Sequence, residues 1–199
     1  MRALAVALLL VVAAECAGAD LTAVEYKERG LRELRAGQLE DARGSFARAS
    51  YAAPEDFEAL FLQAVVLNRL GRPADAAPPL GWARAAGFVP PEMPREVGWS
   101  LIGQKKWKEA VAELERYERA RPEEGLTASL LGRAYLGLGR LDRAEGWFKA
   151  AIWRDPRLEP DALFGLAAIE HRRKNEAGVR RYLETIREEY PDWRLQRGS

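Results

Sequence analysis

The chain has 199 residues, 48% of them apolar, with Lys+Arg 31 against Asp+Glu 30. That apolar share is too high for a disordered tail, and the length suits one domain or a short repeat array. A formal net charge of +1 excludes a strong overall field toward nucleic acid or an anionic membrane.

The first nineteen residues stand apart. Arg2 is followed by an unbroken apolar run from Ala3 to Ala14, and Ala17-Gly18-Ala19 then offers small residues at signal-peptidase spacing. As a helix the apolar run would be ~18 Å long, short of a ~30 Å hydrocarbon core. The expectation is a cleaved signal peptide over 1–19, with Asp20 first in the mature chain and a periplasmic or secreted destination; an uncleaved anchor is the alternative. Cys16, the only cysteine, lies in this segment. The bacterial lipid-attachment signal places Leu and two small residues before its cysteine, whereas Ala13, Ala14 and Glu15 precede this one. Lipidation of Cys16 is therefore the lesser alternative. Cleavage after Ala19 leaves no thiol, and with it no disulfide or cysteine metal site. No later stretch is apolar enough to cross a membrane.

From residue 23 onward the sequence repeats every 34 residues. Ala42, Ala76, Ala110, Ala144 and Gly178 form a small column, and four residues later Phe46, Leu80, Leu114, Phe148 and Tyr182 form a large one. Upstream lie Gly30, Ala64, Gly98, Gly132 and Leu166, then Leu67, Leu101, Tyr135 and Ile169, with Glu33 in the first unit. Gly37, Gly71 and Gly139 mark a turn, where the other two units have Lys105 and Arg173. In the fourth unit Ala128, Leu131, Ala134, Tyr135 and Leu138 fall at helical spacing. Gly139 then supplies the left-handed cap, and Leu141, Ala144, Phe148, Ala151 and Ile152 form a second helical stripe that ends at Asp155-Pro156. Small residues let paired helices approach while the large column fills the space between them. One hairpin cannot bury its apolar face alone; stacked neighbours can.

These columns resemble the tetratricopeptide repeat (TPR) family. The fourth unit carries the pattern most fully, in Gly132, Tyr135, Ala144, Phe148, Ala151 and Pro156; the first carries Gly30, Ala42, Phe46, Ala49 and Pro54. The third has Gly98, Ala110 and Pro122 but Tyr117 where Ala is usual, and the second and fifth are looser. The resemblance implies an all-α, right-handed α-solenoid of about five stacked helix-turn-helix repeats. Its units run over about 23–56, 57–90, 91–124, 125–158 and 159–192, within an array spanning 20–199.

Two departures carry expectations. Pro78 and Pro79 fall where the second helix of unit two should be under way, so that helix should start late with a proline in its first turn. Residues 88–94, with Pro90, Pro91 and Pro94, predict an extended linker where the array can bend, with the start of the next helix as the alternative place for Pro94. After unit five only Trp193 to Ser199 remain. The last helix should then be its own polar cap, with Val179, Tyr182, Leu183 and Ile186 facing inward; self-association through this unit is the alternative.

Chemistry is sparse. His171, the only histidine, precedes Arg172-Arg173-Lys174 and suits a helix C-terminus, where cations oppose the dipole. Without further His or Cys, no zinc site, catalytic triad or other cofactor site is expected. Gly137-Leu138-Gly139 follows a helix and lacks a third glycine, so it reads as a cap and not a phosphate loop. Trp107, Trp147 and Trp153 read as core aromatics.

In the family, first helices line the concave groove. The resemblance places Lys27, Leu31, Leu34 and Arg35 there from unit one, and Phe61, Val65, Asn68 and Arg69 from unit two. It adds Arg95, Trp99 and Ile102, then Leu126, Arg133 and Leu136, then Leu163, Glu170 and His171. A family subset clamps a C-terminal carboxylate with Lys and Asn, Asn, then Lys and Arg. Here Lys27 fits the first place, but Leu31, Leu62, Glu92 and Glu96 occupy the others, so that clamp is absent. The expected function is a non-catalytic envelope scaffold that holds a peptide or protein segment, favouring one with an acidic element, by apolar anchors and arginine heads. No nucleic-acid partner is expected, nor a membrane span after signal cleavage. The alternative is a periplasmic protein that binds a glycan or small ligand through groove aromatics.

Overall fold

The computed structural model describes residues 21–193; the expected signal segment and Cys16 lie outside them. Among the described residues, ten α-helices pair into five hairpins: α1 (Ala23–Arg35) with α2 (Leu39–Ala52), α3 (Phe57–Arg69) with α4 (Ala77–Ala85), α5 (Met93–Gly103) with α6 (Trp107–Ala120), α7 (Gly125–Gly137) with α8 (Leu141–Arg154), and α9 (Glu159–Arg172) with α10 (Glu176–Glu189). A 3₁₀ turn at Pro156–Leu158 precedes α9, and no strand occurs among the described residues. The fold is an all-helical solenoid.

Local chemistry starts several of these helices. Thr22 and Glu25 form a reciprocal capping box on α1, Asp56 accepts from the Ala59 amide at 3.1 Å, and Asn175 accepts from the Gly178 amide at 3.1 Å. Within each hairpin the same backbone device turns the chain. The amides of Gln38, Arg72, Lys106, Arg140 and Asn175 donate to the carbonyls of Glu33, Leu67, Leu101, Tyr135 and Glu170, each at 2.9 Å. Before each donor stands a left-handed residue: Gly37, Gly71, Lys105, Gly139 and Lys174.

These turns expose one difference from a strict 34-residue register. The fifth turn falls at Lys174, not Arg173, because α9 has fourteen residues where α7 has thirteen. From Ala162 in α9 onward the buried counterpart of a residue in unit four lies 35 positions on.

The columns form the core. Ala42, Ala76, Ala110 and Ala144 have no exposed surface, and Phe46, Leu80, Leu114 and Phe148 are at most 2% exposed. Small residues opposite them are required by space: a Cβ on Gly132 would sit 2.8 Å from the Phe148 ring, and one on Gly98 2.5 Å from Leu114. Helix α7 is the most enclosed, with Thr127, Ala128, Ser129, Leu130 and Leu131 buried in succession.

The prolines act as their geometry demands. Helix α4 begins only at Ala77, has a proline in its first turn and runs nine residues. Pro94 sits in the first turn of α5. Repeats two and three are joined through buried polar groups. The Asn68 amide, with no exposed surface, donates to the Glu96 carbonyl at 3.1 Å and its carboxylate at 2.7 Å. Glu96 also holds Arg95 at 2.8 Å, and Arg95 bonds Glu124 as well.

Two expectations fail at the surface. Trp153 is 83% exposed: α8 buries Ala144, Phe148 and Ala151, and a residue two beyond Ala151 points away from that face. Leu183 is 40% exposed, so α10 is not a wholly polar cap.

Candidate partner-binding cleft

First helices of repeats three, four and five, with the end of α3, enclose a cleft of about 650 Å³. Its apolar lining includes Trp99 and Ile102 on α5, Trp107 at the start of α6, Leu126 and Leu136 on α7, and Phe164 on α9. Around them stand Arg69, Lys105, Arg133 and Arg172, with Asp161 the one carboxylate. Four cations to one anion, over partly exposed aromatic rings, favour an occupant with carboxylates and large apolar side chains.

Two glycines shape this cleft. Arg35 and Arg69 end their helices; the matching positions in repeats three and four are Gly103 and Gly137, and in repeat five Arg172. A Cβ on Gly137 would meet the Trp107 ring at 2.3 Å, and one on Gly103 would meet Pro73 at 2.5 Å. The missing side chains thus let Trp107 and Pro73 lie flat against the neighbouring helix. Arg172 is held across the opening: its Nη1 donates to the Leu136 carbonyl at 2.9 Å.

Of the nine principal groove positions expected from sequence, Arg69, Trp99 and Arg133 line this cleft, joined by Ile102, Leu126 and Leu136. The others lie elsewhere. Lys27 bridges α1 to the next repeat, 2.8 Å from Asp56 and 3.0 Å from Glu58; the Asp56 carboxylate above all holds its pKa above the ordinary lysine value. Leu31 packs on the core of repeat one, and Arg35 is exposed and is not among the residues lining the cleft. Phe61 is 8% exposed, its ring 6.0 Å from that of Phe88. The expectation that Asn68 and Arg95 project into the groove does not hold. Asn68 is buried against Glu96, and Arg95 is pinned between Glu96 and Glu124 with its guanidinium 5.5 Å from the Tyr117 ring.

Lys105, Trp107, Asp161, Phe164 and Arg172 belong to the cleft without having been singled out for it. Arg172 had a readable signal in the Arg35–Arg69 column, but the extra residue in α9 assigns that place to His171 at a spacing of 34.

Among the described residues no helix is long and apolar enough to cross a membrane. No curated protein matches the sequence. Among solved structures, MamA from Desulfovibrio magneticus RS-1 is 22% identical over 89% of this chain and 97% of its own, with a TM-score of 0.61. PilW, described as a widely conserved type IV pilus biogenesis factor, is 23% identical over 85% of this chain and 78% of its own, with a TM-score of 0.64. YrrB, described as a TPR protein with an unusual peptide-binding site, is 20% identical over 87% and 89%, with a TM-score of 0.58. At these identities the likeness is one of fold. A tetratricopeptide repeat model matches residues 27–88 and 97–158, more than half of the sequence. The chain belongs to the tetratricopeptide repeat family.

Proposed function

We propose that this chain is a non-catalytic scaffold of the bacterial cell envelope that holds an acidic peptide or protein segment in the cleft of repeats three to five. The observation that carries the reading is the pairing of partly exposed Trp99, Trp107 and Phe164 with Arg69, Lys105, Arg133 and Arg172 in one cleft. Aromatic and arginine side chains are the usual energetic anchors of interfaces, and about 650 Å³ is room for a few large side chains. The envelope assignment rests on the signal-like segment 1–19. The pilus role described for PilW and the peptide site described for YrrB accord with the proposal. A glycan would use the same aromatic floor, but the cationic rim favours carboxylates.

The test is fluorescence anisotropy with a labelled peptide alternating Glu with Phe and Leu, against its Lys-for-Glu counterpart. Trp99→Ala and Arg133→Ala should each weaken binding of the acidic peptide about tenfold or more with helicity unchanged. Equal binding of both peptides, or no loss in either variant, overturns the assignment.

A further inference from the structure

The two ends of the array differ in chemistry. On first helices, two positions face the preceding repeat and are buried: Ala59 and Val66 on α3, Met93 and Ser100 on α5, Thr127 and Ala134 on α7, Ala162 and Ile169 on α9, none more than 2% exposed. Val66 packs with Ala42 and Phe46 of repeat one, and Met93 with Leu80 of repeat two. The counterparts on α1 are Glu25 and Arg32, both exposed, with Glu28 exposed between them. At these positions the head of the array is charged, with Leu21 and Val24 the exposed apolar residues near them in sequence.

The tail is not. The large column is at most 2% exposed at Phe46, Leu80, Leu114 and Phe148. Its counterpart on α10, allowing for the extra residue in α9, is Leu183, at 40%. Among the described residues no helix follows α10 to cover it. Leu183 lines a largely apolar hollow of about 400 Å³ with Phe164, Ile186, Tyr190, Pro191 and Trp193, edged by Arg180, Glu184 and Arg187. Phe164 is itself 50% exposed, its ring 5.7 Å from that of Trp193.

We infer that this tail is the interface of a two-fold dimer, with α10 of one copy laid antiparallel on α10 of a second. The charged head is a poor cover for an apolar hollow, which disfavours head-to-tail stacking; a tail-to-tail contact buries like against like and closes on itself. The charges along α10 fit that arrangement. Its first half carries Arg180-Arg181 with Glu176, and its second half Glu184, Glu188 and Glu189 with Arg187, so antiparallel pairing sets a net-basic half of each helix against a net-acidic half of the other. A two-fold axis between Glu184 and Thr185 puts Leu183 level with Ile186 of the second copy, and Arg180 level with Glu189. Such a dimer presents two clefts.

Sedimentation of the purified full chain between about 1 and 100 μM tests this. The expected result is a dimer, converted to monomer by Leu183→Glu with unchanged circular dichroism. Arg180→Glu and Glu189→Arg should each weaken dimerisation about tenfold, and the double variant should restore it, because the pair is exchanged with its partner in the other copy. A monomer over the whole range, a dimer that survives Leu183→Glu, or a double variant no better than the singles would overturn the inference.

Discussion

Repeats three to five share one continuous core running from Ile102 to Ile186, whereas repeats one and two divide theirs between a cluster around Phe46 and another around Leu80. The cause is local. Pro78 and Pro79 delay α4, leaving nine residues where α2, α6, α8 and α10 have fourteen. A short second helix offers less apolar surface to the next repeat, and that joint is completed by Asn68, Glu96 and Arg95. In an array held by nearest-neighbour contacts, stability is close to a sum over interfaces. The contrast therefore predicts where the molecule opens first: around repeat two.

The largest effects come from the large column. Phe148→Ala should cost about 3–5 kcal/mol and speed hydrogen exchange from α6 through α9. Phe46→Ala removes an equally buried ring, yet faster exchange should stay within α1 to α3. The same spread in both variants would break the distinction between the two halves.

Next is the polar joint. Glu96→Ala leaves the buried Asn68 amide without its carboxylate and removes one of two anions from Arg95, at about 2–4 kcal/mol. Urea unfolding should then separate into two transitions, repeats one and two preceding the rest. A single unshifted transition would show that the joint carries no stability.

Turn substitutions are smaller, and the two differ in size. Gly139→Ala forces a Cβ into a left-handed turn, φ 71°, and should cost about 1 kcal/mol. Lys105 already bears that strain at φ 59°. Lys105→Gly relieves it while freeing the unfolded chain, so stability in urea unfolding should change by no more than about 0.5 kcal/mol.

The end repeats should respond to opposite extremes of pH. At Glu33, burial pushes the pKa up, but the Ser45 hydroxyl and Arg29 outweigh it and the net shift is down. That contribution is complete above the ordinary value of 4.5 and fades as acid titrates the group below it. Tyr190, pushed up to about 12 first by its bond to Glu159 and then by burial, contributes fully below 10 and loses that as pH rises through 12. Amide exchange in α1–α2 should quicken first on acidification, and near Tyr190 first in alkali. Uniform loosening at both extremes would show the ends to be electrostatically alike.

Much of this architecture was legible because the template needs space and bulk at fixed intervals, which Gly132 opposite Phe148 satisfies visibly. The late start of α4 was legible because proline leaves few alternatives. The offset in α9 was hidden: Gly178 and Tyr182 satisfy the columns at 34, Val179 and Leu183 satisfy them nearly as well at 35, and no glycine marks the turn at Arg173-Lys174. The cleft was half legible. Trp99, Arg69 and Arg133 follow from family geometry, but burial of Asn68 and Arg95 depends on a carboxylate, Glu96, two helices from the first and beside the second. Trp107 reads as core because its seat is made by an absent side chain thirty residues away, at Gly137.

The charged head has a practical corollary for engineering. An added repeat placed before α1 would first require Glu25, Glu28 and Arg32 to be replaced by small or apolar residues. One placed after α10 would find Leu183 and Ile186 in place. Lengthening the array is thus easier beyond α10 than before α1.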